Sequence, residues 1–105
     1  MANIAQGTTP TIVCTFADAD LDLTEAEHIH LTISQYGKKL TKQDDDLTIT
    51  AKTVSAYLDQ RGTLWLNPAK PCEVEVNWTF ADGSRGKSNI NTVTIDRTLL
   101  PEVLP

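Results

Sequence analysis

Apolar and polar residues alternate with a period of two in several short runs of this chain, the pattern of strands with one buried and one wet face. The clearest run is Cys72 to Phe80, with Cys72, Val74, Val76, Trp78 and Phe80 on one face and Glu73, Glu75, Asn77 and Thr79 on the other. From Glu27 to Gln35, Ile29, Leu31 and Ile33 oppose His28, His30, Thr32 and Ser34. Weaker runs cover Thr8 to Phe16, with Ile12, Cys14 and Phe16 on one side, then Leu47 to Ala51, and then Thr53 to Leu58. Lys87 to Ile95 brings Val93 and Ile95 inward but leaves Ile90 out of phase, which predicts a bulge near Asn91.

Turn residues punctuate these runs. Tyr36-Gly37-Lys38-Lys39 and Ala81-Asp82-Gly83-Ser84 predict hairpins. Asp59 is placed to cap a short helical turn near residues 59–66. Asn67-Pro68-Ala69-Lys70-Pro71 stops that turn, because proline disfavours helical geometry in the residue before it. Short strands without crossover helices predict an all-β protein, an immunoglobulin-like antiparallel β-sandwich of about seven strands. It spans residues 1–98, and a tail over 99–105 carries Leu99, Leu100, Val103 and Leu104, which call for a partner.

Composition agrees with strands. The 105 residues suffice for one domain, and fifteen threonines, seven isoleucines and six valines favour sheet over helix. A net charge of -5 argues against wrapping nucleic acid by phosphate neutralisation. No apolar run reaches the length of a membrane span, and no basic-then-apolar signal opens the chain, so the expected compartment is reducing.

Candidate chemistry is thin. Asp18, Asp20 and Asp22 have the opening rhythm of an EF-hand loop, but Leu23 replaces the required glycine and Ile29 the bidentate acid, so a solvated acidic loop is expected. His28 and His30 share a strand face, yet two ligands are not a metal site, and Asp44 to Asp46 suit a turn. Cys14 and Cys72 both fall on apolar faces where a bridge between sheets is conceivable; without an export signal, two reduced core thiols are favoured. Neither has a histidine partner on its face, and no phosphate loop or nucleophile elbow is present, so no enzyme and no cofactor are expected. Trp78 reads as core, and Trp65 as a buried plug at the sandwich end, whereas an exposed Trp65 would mark a contact surface.

Taken in order, Asn3-Ile4-Ala5-Gln6-Gly7, Leu21-Asp22-Leu23-Thr24, Leu58-Asp59-Gln60 and Ala81-Asp82-Gly83-Ser84 resemble a phage protein pattern. The chain is similar to small prophage-encoded proteins and to the N-terminal domain of the phage baseplate upper protein family. Ser88-Asn89-Ile90, Val93 and the closing Leu99-Leu100-Pro101-Glu102-Val103-Leu104 extend the likeness nearly to the end. The resemblance implies a tail- or baseplate-associated structural module, present in the bacterial cytoplasm during assembly and then in the virion. Its expected partners are other phage structural proteins or copies of itself, met through sheet edges and the tail, with Trp65, Leu99, Leu100, Val103 and Leu104 as the contact residues. A carbohydrate-binding or adhesion sandwich, with Trp65 and Tyr57 as stacking platforms, is the alternative.

Overall fold

The computed structural model describes residues 3–105. In chain order the elements are β1 (Asn3–Ala5), β2 (Thr11–Thr15), β3 (His28–Gln35), β4 (Lys38–Gln43), β5 (Leu47–Ile49), β6 (Thr53–Tyr57), α1 (Gln60–Trp65), β7 (Cys72–Thr79), β8 (Arg85–Lys87) and β9 (Asn91–Asp96). One sheet has the order β1-β9-β7-β3-β4, with β8 also paired to β7, and the other the order β2-β6-β5. Short strands at the N-terminus and in the divided β8–β9 run raise the number above the expected seven. The antiparallel expectation fails at one pair, since β1 runs parallel to β9, with Asn3 opposite Thr94 and Ala5 opposite Asp96. These are the first and last strands, so no hairpin dictates their relative direction.

The core forms where the two most regular strands coincide. β3 and β7 pair with Ile29 opposite Trp78, Leu31 opposite Val76 and Ile33 opposite Val74, which merges their apolar faces into one buried surface. Val54, Ala56 and Leu58 close it from the other sheet, joined by Ile4, Leu23, Val93 and Ile95. The Trp78 ring meets Phe16 edge to face, with centroids 5.4 Å apart and planes at 83°. Such a contact adds about 0.5–1.5 kcal/mol to area burial.

Both hairpins form as the turn residues require. Tyr36 (φ 47°) and Gly37 (φ 81°) make the two-residue turn between Gln35 and Lys38 with both φ values positive, the geometry that matches strand twist. The Lys70 ammonium lies 4.0 Å from the centre of the Tyr36 ring. The second hairpin has a three-residue loop closed by Phe80 N–H to Ser84 O at 3.0 Å, with Gly83 at φ 88°. The out-of-phase Ile90 marks a real change of register. Asn77 faces Lys87 but Val74 faces Asn91, so the β8–β9 segment spends one more residue than β7 over the same length. There the Ser88 hydroxyl accepts from Val76 N–H at 2.9 Å, in place of a backbone carbonyl, and Ile90 turns to solvent.

Candidate interaction surfaces

One end of the sandwich is organised by α1. Asp59 caps it, its carboxylate accepting from Gly62 N–H at 2.8 Å. The buried plug is not Trp65, which is 38% exposed, but Thr63 and Leu66. The Thr63 hydroxyl donates to Thr8 O at 2.8 Å and accepts from Gly7 N–H at 3.0 Å, fixing α1 to the chain before β2. Helical spacing puts Arg61 and Trp65 on a different face, where they line a shallow groove with Lys39, Leu40 and Lys42 of β4. The Lys38 ammonium sits 5.5 Å from the centre of the Trp65 ring. A helix of this length carries too little periodicity for the sequence to distinguish these two faces.

The tail follows the remaining face of α1. Gln6 starts it: its side-chain oxygen accepts from Thr98 N–H at 3.2 Å, while its amide nitrogen donates to Leu64 O and Leu66 O. Gln60 ends it, donating to Leu104 O at 3.2 Å and accepting from Leu104 N–H at 2.8 Å. The backbone is therefore held while the side chains are not covered, with Leu99 89%, Leu100 50%, Val103 49% and Leu104 53% exposed. The predicted contact residues thus fall on two faces of α1, Trp65 toward β4 and the tail residues beside Gln60. Tyr57 is also exposed.

Two sheet edges differ in character. β4, at one border of the larger sheet, carries Lys38, Lys39 and Lys42, the usual guard against edge pairing. β2, at the border of the smaller sheet, is Thr-Ile-Val-Cys-Thr and has no charge. Beside it a groove of about 480 Å³ runs over β7 and β9, lined among others by Ile12, Cys14, Phe16, Val74 and Val93.

The polar constellations resolve into local structure. Asp18 accepts from Asp20 N–H at 2.9 Å, and Asp22 caps a single turn of 3-10 helix through Thr24 N–H at 3.0 Å. The Lys52 ammonium donates to Asp18 O and Leu21 O. Asp44 accepts from Ile29 N–H at 3.0 Å and lies 3.2 Å from Nδ1 of His28, tying the β4–β5 connection to β3. Among the described residues no three histidine, cysteine, aspartate or glutamate side chains gather as a metal site would require. Cys14 and Cys72 are free thiols whose pKa values burial pushes up, the opposite of what an attacking thiolate needs. Among the described residues no helix is long and apolar enough to cross a membrane.

These contacts set the acid response. The Thr24 hydroxyl holds Asp22 below the ordinary carboxylate range, Ile29 N–H does so for Asp44, and the Asn77 amide for Glu75. A lowered folded-state pKa means that the unfolded chain binds more protons. The stabilisation is then present above the ordinary carboxylate value of about 4 and is lost as pH falls through it and below. Thermal unfolding should show Tm falling between about pH 5 and pH 2. The drop should be smaller in Asp44→Asn, and a flat profile in the parent would contradict the assignment.

No family model and no curated protein matches the chain. Among solved structures it is similar to a strand-swapped dimer of the immunoglobulin-like domain of mouse leukocyte-associated immunoglobulin-like receptor 1, with a TM-score of 0.50 and 16% identity over 88% of this chain and 83% of that one. Together with the two facing sheets, this likeness shows an all-β, immunoglobulin-like sandwich.

Proposed function

We propose that the protein is a non-enzymatic phage structural module, tail- or baseplate-associated, that works by protein–protein assembly. The observation that carries the assembly reading is the tail, which presents four large apolar side chains to solvent while its backbone is pinned by Gln6 and Gln60. An apolar segment held in place but left uncovered suits a surface that a partner completes. The phage assignment rests on the ordered sequence likeness from Asn3-Ile4-Ala5-Gln6-Gly7 to the closing leucines. Gln6 and Gln60, which anchor the tail in this chain, lie within those segments.

The test is co-purification with the products of the flanking genes. Serine at Leu99, Leu100, Val103 and Leu104 together should weaken binding at least about a hundredfold, since burying each such side chain is worth roughly 1.5–3 kcal/mol. A protein that stays monomeric and binds no neighbouring product would overturn the assembly reading.

Exposure of Trp65 and Tyr57 favours a second reading, a carbohydrate-binding or adhesion module. Glycan-array binding abolished by Trp65→Ala would establish it in place of the first.

A further inference from the structure

We propose that the uncharged β2 edge accepts the C-terminal tail of a second copy of this chain as an added antiparallel strand, an inference that rests on the assembly reading above. In the immunoglobulin arrangement one sheet has the strand order ABED. Here β2, β6 and β5 take the B, E and D places, and among the described residues β2 has no paired strand on its outer side. Its free backbone groups can be identified from the bonds on its inner side. Pro10 O accepts from Leu58 N–H at 2.9 Å and Phe16 N–H donates to Lys52 O at 2.8 Å, so the even-numbered residues here turn their backbone toward β6. Thr11, Val13 and Thr15 therefore turn theirs outward.

The tail fits this edge in one phase. Pro101 has no N–H and must sit where its nitrogen faces away from β2, which leaves Leu100, Glu102 and Leu104 to bond Thr15, Val13 and Thr11. In an antiparallel pair, opposite residues share a face. Leu99, Pro101 and Val103 then fall beside Phe16, Cys14 and Ile12, over the apolar groove. Those three β2-side residues are only partly buried in the single chain, although they pack on the core. Glu102 falls on the solvent face beside Val13, where β2 offers no charge to oppose it. The backbone requirement of the proline and the apolar requirement of the groove thus select the same phase, and covering the whole of β2 from Thr11 to Thr15 sets the register.

Direction makes the donor a different molecule. β2 starts at the α1 end, where Thr11 pairs with Tyr57, and the tail also starts there, with Thr98 bonded to Gln6. A chain's own tail laid along its own β2 would run parallel, so an antiparallel strand comes from another copy. Gln60 holds the tail in the unassembled protein and must release Leu104 first.

The test uses the full-length protein in sedimentation equilibrium from micromolar to millimolar concentration. Self-association is expected. Glu102→Pro, which removes the central tail N–H, should weaken it at least about tenfold, while Glu102→Ala should stay within about twofold. Pro101→Cys, mildly oxidised, should form disulfide-linked oligomers through Cys14 of another copy, and these should be absent from Pro101→Cys/Cys14→Ser. At a concentration where the parent is dissociated, all three tail variants, with Pro101→Cys reduced, should keep the parental Tm. Self-association that survives Glu102→Pro and yields no link to Cys14 would overturn this register and leave the assembly reading standing. A parent that is monomeric throughout would overturn the proposal too, and the assembly reading would fall with it only if no flanking product is bound.

Discussion

Gly86→Ala is expected to destabilise the fold by about 1–3 kcal/mol, a large effect for one added methyl group in a strand only three residues long. Gly86 stands directly opposite Trp78 in the β7–β8 pair. A Cβ at this position would lie 2.4 Å from Nε1 of the indole, 2.6 Å from Cε2 and 2.8 Å from Cζ2. Such distances require the ring to move. It is not free to do so, because Trp78 is 7% exposed and its ring also packs against Phe16. Urea unfolding would measure the loss, with Lys87→Ala on the same strand as a control expected to fall within about 0.5 kcal/mol. The double variant Gly86→Ala/Trp78→Leu should be less unstable than the sum of the two single changes, because the alanine has nothing to strike once the indole is gone. Strict additivity would show that the cost comes from the backbone and not from the ring.

That packing shows where the sequence was informative. β3 and β7 were legible because each is long, alternates without interruption and has its apolar side against the core. The bulge was legible because Ile90 broke an otherwise clean phase. The parallel pairing of β1 was not, since a three-residue strand carries no sign of its direction. Trp65 was misplaced for a related reason: α1 has six residues, and a composition of Leu64, Trp65 and Leu66 does not say which of the three turns inward. Gln35 left a signal that is easy to pass over. It continues the inward phase of Ile29, Leu31 and Ile33, so a polar amide at that position announces buried hydrogen bonds.

Three glutamines do the same work at the α1 end. An amide both donates and accepts, so one side chain can satisfy two backbone groups of a segment without regular structure. Gln6 joins the start of the tail to the end of α1, Gln60 joins the end of the tail to its beginning, and Gln35 holds the proline-bounded loop after it. Their exposure grades these attachments. The Gln60 bonds to Leu104 are open to water and compete with it, whereas the Gln35 bonds are shielded, which leaves the tail easier to release than the loop.

Gln35→Leu should accordingly cost about 2–4 kcal/mol despite the similar size of the two side chains. The Gln35 amide nitrogen donates to Asn67 O and to Lys70 O, each at 2.8 Å, and its oxygen accepts from Asn67 N–H at 2.7 Å. Leucine leaves all three backbone groups without their partner, and a group buried without one costs about 1–3 kcal/mol, less where the loop can open to water. Opening should also separate Lys70 from the Tyr36 ring, so the damage extends to the β3–β4 hairpin. Urea unfolding gives the free energy, and amide hydrogen exchange locates it. In the parent, exchange at Asn67 N–H should be protected nearly to the level of global unfolding; in Gln35→Leu it should become fast while the amides of β3 and β7 stay slow relative to it. If Asn67 exchanges at the same rate in both proteins, the loop is held by its prolines and not by Gln35.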